Sequence, residues 1–279
     1  MGETYSYYPG CTSHSTAAEY IEASQQVLEA VGIELRELPD WCCCGAASAH
    51  NVSTTLALGL STFNISEAQK GEADLLIPCA GCYNSLARAD HVLRTDSGER
   101  ARLEEILEFS YSGDVRMLSI VDLLAGEKMR REIAGRVKKS LVGLKVVCYY
   151  GCLLVRPAEI TGADDPENPM RLDTLMADLG AEVIDWSCKV DCCGADMGMS
   201  HAGKTRELVA GIADYAVAAG ADCMVTSCGL CQMNVDSRQK RMPIFYFTEL
   251  IAEALQIGNR KRWWKKHMNN PSRLIAGLQ

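Results

Sequence analysis

The chain is expected to be an α/β protein of two similar domains made by internal duplication, each a small parallel sheet flanked by helices. Three observations predict this: a five-cysteine pattern written twice, strand and helix patterns alternating in the same order around both copies, and helix-ending glycines at one shared offset. The first copy of the pattern is Cys11, the adjacent pair Cys43 and Cys44, then Cys79 and Cys82; the second is Cys152, the pair Cys192 and Cys193, then Cys228 and Cys231. Together they use ten of the 14 cysteines. Thirty-five positions separate Cys44 from Cys79, and the same number separate Cys193 from Cys228. Both pairs run on into Gly-Ala, at Gly45-Ala46 and Gly194-Ala195, and both opening cysteines follow a Tyr-Tyr step, Tyr7-Tyr8 and Tyr149-Tyr150.

The elements follow in order. Thr16 and Glu19 have the spacing of a capping box ahead of an apolar stripe at Tyr20, Val27, Leu28 and Val31, and Gly32 ends that helix. A strand over 33–38 leads to Cys43. A second helix carries Leu56, Leu60 and Phe63 on one face and ends at Gly71, and a strand over 74–78 delivers the chain to Cys79. The second copy repeats this: a helix with Leu172, Leu175, Met176 and Leu179 stopped by Gly180, a strand over 183–186, a helix with Leu208, Ile212 and Tyr215 stopped by Gly220, and a strand over 222–226. Gly71 and Gly220 each stand eight residues ahead of the C-x-x-C. Each copy closes on a strand and a helix, at 115–119 and 243–248. Such alternation makes parallel-sheet halves, whose cysteines then fall at the carboxyl ends of the strands, near the domain interface, where open α/β sheets bind ligands. The expected division is 1–140, 141–257 and a basic aromatic tail at 258–279. An insertion with a polar patch at 94–100 spans about 86–114, and 161–169 is a loop.

The 279 residues suffice for two ordinary hydrophobic cores without disulfides. The first residues, Met1-Gly2-Glu3-Thr4-Tyr5, have neither the basic nor the apolar region of a signal peptide, so a cytoplasmic protein with reduced thiols is expected. No apolar run approaches the roughly 18–20 residues of a transmembrane helix, so no transmembrane segment is expected. A net charge of -8 argues against nucleic acid, which asks for a basic face. In the tail, Arg260 to His267 is locally basic with Trp263 and Trp264; it reads as a helix whose tryptophans pack on their own domain rather than as a docking or lipid-binding segment.

A structural zinc site takes four ligands, usually from two knuckles. Each copy here has one knuckle, one vicinal pair and one distant cysteine. Adjacent side chains diverge, so the pair closes poorly on one small ion but can reach different irons of a larger cluster. Iron and sulfide are therefore expected on Cys11, Cys43, Cys44, Cys79 and Cys82 and on Cys152, Cys192, Cys193, Cys228 and Cys231, with zinc and a spare cysteine as the minor alternative. Cys42 precedes the first pair, and the match of Cys43-Cys44-Gly45 with Cys192-Cys193-Gly194 selects the later two. Cys42, Cys148, Cys188 and Cys223 read as small buried residues. His14, His50 and His201 follow ligand cysteines closely, and Arg156 follows Cys152; His14, His201 and Arg156 are candidate substrate-binding residues, Arg156 for an anionic group. No dinucleotide or phosphate-loop fingerprint is present.

The doubled frame, with Cys148-Tyr149-Tyr150-Gly151-Cys152 opening its second copy, resembles the CCG-domain family and within it the HdrB component of heterodisulfide reductase, over Tyr5 to about Leu255. The resemblance implies two noncubane 4Fe-4S clusters, one per five-cysteine set, facing each other. It implies a catalytic iron-sulfur subunit that reduces a small-molecule disulfide, such as that of coenzyme M and coenzyme B, to two thiols. The partners it implies are an HdrC-like iron-sulfur subunit and an HdrA-like flavin subunit. An electron-transfer subunit acting on another thiol or disulfide is the alternative, and a zinc-stabilised scaffold without redox activity the second.

Overall fold

The computed structural model describes residues 3–278 apart from 14, 47 and 72. The first half runs β1 (Thr4–Tyr7), α1 (Ala18–Ala30), β2 (Glu34–Glu37), α2 (Ala49–Val52), α3 (Thr54–Gln69), β3 (Leu75–Ile77), α4 (Ala80–Thr95), α5 (Ser97–Leu107), β4 (Met117–Ser119), α6 (Ile120–Leu124) and α7 (Glu127–Ala134). The second runs β5 (Lys145–Tyr149), α8 (Ala158–Thr161), α9 (Arg171–Asp178), β6 (Glu182–Val183), α10 (Ala202–Ala218), β7 (Cys223–Thr226), α11 (Gly229–Arg238), β8 (Ile244–Tyr246) and α12 (Phe247–Leu255), and the tail forms α13 (Arg260–Trp264) and α14 (Ser272–Ala276).

Each half builds one four-stranded parallel sheet, in the orders β2-β1-β3-β4 and β6-β5-β7-β8, which are the same permutation. Register agrees too, with Tyr7 beside Leu76 and Leu76 beside Leu118 in one sheet, and Cys148 beside Val225 and Val225 beside Phe245 in the other. Helices cover both faces, so the strands β3, β7 and β8 are buried along their whole length and are largely apolar, Thr226 closing β7. The edge strand β2 is charged instead, with Arg36 paired to Glu34 at 3.1 Å, which blunts its free edge. No helix of the described residues is long and apolar enough to cross a membrane.

The halves share one core. Helix α1 packs on α12, where Tyr20 stacks on Tyr246 with ring centroids 4.3 Å apart, and the Tyr20 hydroxyl donates to the Pro78 carbonyl at 2.7 Å. From α4, the Tyr83 hydroxyl donates to Thr161 O and the Asn84 amide to Leu153 O and Arg156 O, each at 2.8 Å. The tail straps this joint. Trp263 and Trp264 are buried, Lys266 pairs with Glu19 of α1 at 3.3 Å, and His267 meets Glu249 of α12 at 3.0 Å.

Several sequence expectations are corrected by this structure. Thr16 and Glu19 form no capping box: Ala17 takes the N-cap position, and Glu19 is buried against Lys266. In α3 the stripe of Leu56, Leu60 and Phe63 is not the buried face. Leu56 is exposed, and the core side presents Leu58, Ser61, Thr62, Asn64 and Ile65. Likewise Tyr215 of α10 is exposed, and Thr205, Val209, Ile212, Ala213 and Ala216 face inward. The strand expected over 183–186 is only the two residues of β6, because Trp186 turns in to donate its indole N–H to Cys148 O at 2.9 Å. The insertion is a helical pair, with α4 extended to Thr95 and α5 capped by the Asp96 carboxylate, which accepts from Gly98 N and Glu99 N.

Candidate metal centre

Cys11 and Cys152 follow the carboxyl ends of β1 and β5. Cys79 and Cys228 follow β3 and β7 and occupy the N-cap positions of α4 and α11, with Cys82 and Cys231 one turn on. The pairs Cys43-Cys44 and Cys192-Cys193 lie in the loops beyond β2 and β6. The spacing of a C-x-x-C on a helical turn puts both sulfurs on one side, near amide groups and the positive end of the helix dipole.

Each vicinal pair divides between inside and outside. The second members are buried and meet the knuckles, Cys44 Sγ lying 3.4 Å from Cys82 Sγ and Cys193 Sγ 3.6 Å from Cys231 Sγ. The first members, Cys43 and Cys192, are exposed, and their sulfurs accept from the amides of Gly45 at 3.4 Å and Gly194 at 3.3 Å. Gly45 and Gly194 have φ of +71° and +74°, and a Cβ on either would come within 3.0 Å of a neighbouring side chain, so the loop tolerates no larger residue. Gly10 and Gly151 stand close over the knuckles, where an added Cβ would lie 3.2 Å from Cys82 Sγ and 3.0 Å from Cys231 Sγ.

One pair of phenols fixes the equivalence of the two loops. Tyr8, three residues before Cys11, donates to Cys42 O at 2.8 Å, and Tyr149, three before Cys152, donates to Asp191 O at 2.7 Å. Cys42 thus stands where Asp191 stands, and Cys43-Cys44 where Cys192-Cys193 stand. The Cys42 thiol points to the carbonyls of Cys43 and Leu60 at 3.6 and 3.7 Å, with the Asn64 amide 3.6 Å away, and burial raises its pKa. Cys148, Cys188 and Cys223 are buried, and burial raises all three thiols.

The sulfurs titrate as sets. A hydrogen bond from Cys152 lowers Cys192 to about 6, and one from Cys231 lowers Cys193 to about 7. In the first half, Cys43 and Cys82 hold Cys44 well below the ordinary thiol value. Cys79 is lowered first by Cys228 and then by Cys82, so the knuckles of the two halves act on each other across the seam. The packing is reciprocal: a Cβ at Gly81 would touch Leu153 and Leu230 at 3.6 and 3.8 Å, and one at Gly229 would touch Ala17 at 3.3 Å. Among the described residues no three His, Cys, Asp or Glu side chains close on a single ion.

The non-cysteine candidates are scattered. His14 lies outside the described residues. His201 precedes α10, exposed, with Nδ1 3.0 Å from Ser200 Oγ. Arg156 pairs with Glu167 at 2.6 Å. His50 reaches across the seam to Asp196, Nε2 to Oδ2 3.7 Å. The group that sequence reasoning missed is Arg88, which lies beside a cavity of about 430 Å³ that opens onto Cys44. Its only sequence signal is a position four past Asn84 and three past Ser85 on α4, the helix face that lines the cavity.

Comparison with known proteins agrees with this architecture. The cysteine-rich (CCG) domain family matches residues 5–87 and 146–236. The chain is 30% identical over 270 residues to the 8-methylmenaquinol:fumarate reductase membrane anchor subunit of Wolinella succinogenes, covering 92% of this chain and 94% of the relative. It is 29% identical to the HdrB component of the ferredoxin:CoB-CoM heterodisulfide reductase of Methanosarcina mazei, covering 90% and 88%. An HdrB-like heterodisulfide reductase protein of Archaeoglobus profundus is 24% identical, covering 89% of each chain. In fold the chain resembles a hypothetical protein from Helicobacter pylori, with a TM-score of 0.75 at 13% identity, over 96% of this chain and about half (52%) of that one. The two matched segments each carry three of the four strands of one sheet and its five cysteines, and the chain belongs to the cysteine-rich CCG domain family as a tandem pair, homologous to the HdrB component of heterodisulfide reductase.

Proposed function

We propose that the chain is the iron-sulfur subunit of a heterodisulfide-reductase-type complex. In this reading Cys11, Cys43, Cys44, Cys79 and Cys82 hold one noncubane 4Fe-4S cluster, and Cys152, Cys192, Cys193, Cys228 and Cys231 hold the other. The observation that carries it is the seam, where the two knuckles pack on each other, a Cβ at Gly81 reaching Leu230 at 3.8 Å and one at Gly229 reaching Ala17 at 3.3 Å. When bound, such clusters supply single electrons, two of which, with two protons, turn one disulfide into two thiols. The donor set fits: each vicinal pair sends one sulfur inward and one outward, as ligands of different irons would be placed, and Gly10 and Gly151 keep the knuckle sulfurs clear of side chains while Gly45 and Gly194 let the vicinal-pair loops pack closely. The chain's own residues hold this arrangement. Tyr8 and Tyr149, pushed up by burial, remain neutral donors that tether the strand ends to the vicinal-pair loops. Asn234 does the same in the second half, its amide donating to Cys193 O at 2.7 Å.

The substrate in this reading is a small disulfide such as CoB-CoM heterodisulfide, and the partners are an HdrC-like iron-sulfur subunit and an HdrA-like flavin subunit in the cytoplasm. The Wolinella relative favours a second reading, an electron-transfer subunit of a fumarate-reductase-type complex that passes electrons on without handling a disulfide.

Protein purified without oxygen is expected to hold about eight irons and eight acid-labile sulfides per chain. Elemental analysis giving two zincs and negligible sulfide would reject both redox readings in favour of a zinc-held scaffold. Ligand choice is tested in the same assay. Cys44→Ala should remove roughly half of the iron, since one set fails while the other stands, whereas Cys42→Ala should leave the iron unchanged. Equal losses in the two variants would overturn the assignment of Cys43 and Cys44.

A further inference from the structure

The two halves are not equivalent around their vicinal pairs. In the first, the cavity beside Cys44 is walled by Leu58 and Ser61 from α3, Ser85 and Arg88 from α4, and Leu153 from the other half. Its walls are fixed from behind: Ser61 Oγ donates to Cys44 O at 3.4 Å, and the Asn84 amide is tied to Leu153 O and Arg156 O. Arg88 is exposed and makes no ion pair or hydrogen bond with any described residue. In the second half the nearest counterpart is Arg238, seven residues past Cys231. Its guanidinium donates to Gly198 O at 3.2 Å, so close that a Cβ on Gly198 would lie 3.2 Å from Nη2. The loop beyond Cys193 is therefore braced by its arginine, while the loop beyond Cys44 leaves its arginine free over a cavity.

We propose that this cavity is a binding site for a small organic anion: a carboxylate or sulfonate head pairs with the Arg88 guanidinium, and an apolar body lies along Leu58 and Leu153 toward Cys44. The volume suits a small ligand, and one unpaired cation at the rim of a largely apolar slot sets both charge and orientation. The first half is then the ligand half, and the duplication has divided recognition from support. That the anion is the substrate rests on the disulfide-reductase reading; that it binds here does not.

The probes are hexanoate and hexanesulfonate, with 1-hexanol as the uncharged control, titrated calorimetrically into protein purified without oxygen, with iron and sulfide measured on the same samples. Both anions should bind saturably and hexanol far more weakly. Arg88→Gln should weaken the anions about tenfold or more, Arg88→Lys should recover part of that, and Arg238→Gln should leave binding unchanged. Absence of saturable anion binding, equal binding by wild type and Arg88→Gln, or an equal loss in Arg238→Gln would overturn the proposal. Full iron without anion binding rejects this site and leaves the redox reading standing; anion binding without iron does the reverse.

Discussion

Cys79→Ala and Cys228→Ala are each expected to abolish cleavage of CoB-CoM heterodisulfide driven by a strong chemical reductant, although each variant keeps its other five-cysteine set complete. The change strikes the seam, where the two knuckles pack on each other, and a disulfide needs two electrons and two places for its sulfurs. A set deprived of one ligand supplies neither. Loss of a supporting residue around a metal typically costs 10–100-fold, so loss of a ligand should leave below about one-hundredth of wild-type turnover. Two carriers in series behave differently, because an artificial donor bypasses the more remote one. Substantial turnover in either variant, with residual iron near half, would reject a joint active site. A wild-type protein that carries its iron and cleaves no disulfide would favour the fumarate-reductase-type reading.

Glu249→Ala is expected to lower stability by about 3–5 kcal/mol, roughly 10 °C in melting temperature. Glu249 is fully buried and has two tasks: Oε2 accepts from the Tyr246 amide at 3.0 Å, closing the N-terminus of α12, and Oε1 accepts from His267 at 3.0 Å. Removing it strands a buried imidazolium. Burial works against the charged form of His267, but Glu249, and less directly Asp236 and Glu19, outweigh it and raise the pKa from 6.5 to about 9. A histidine whose folded pKa is raised contributes stability that is complete below 6.5 and is lost as pH rises through 9. The contribution is on the order of 3 kcal/mol. Thermal unfolding between pH 6 and pH 9.5 should therefore show wild type losing stability across that window and Glu249→Gln nearly flat across it. Parallel slopes in the two proteins would remove His267 from the account.

Duplication is why so much of the fold was legible. Neither half alone distinguishes Cys42-Cys43 from Cys43-Cys44, but the second copy does, and the equivalent bonds of Tyr8 and Tyr149 repeat that answer in space. The parallel sheets were legible for the same reason, as strands and stop-glycines recur at equal offsets. What misled was α3. Its buried face is polar because it supports the cysteine loop: Asn64 Oδ1 accepts from Cys42 N at 2.9 Å, and Ser61 reaches Cys44 O. A search for apolar stripes passes over such a face and settles on Leu56, which is exposed. Arg88 was missed because its meaning is a lack of partners, and the Glu19 and Glu249 contacts because their partners lie some 247 and 18 positions away, with no periodic signature to connect them.

The strap formed by Lys266 and His267 also fixes an order of events in the making of the protein. Translation delivers residue 266 after every strand of both sheets and after all ten cysteines of the doubled pattern. The sheets and the core they share can thus form before the salt links of Lys266 and His267 to Glu19 and Glu249 close. During that interval the seam between the two knuckles lacks its brace, and in the iron-sulfur reading proposed above the thiols would be most open to loading on the nascent chain, before the finished joint closes over them.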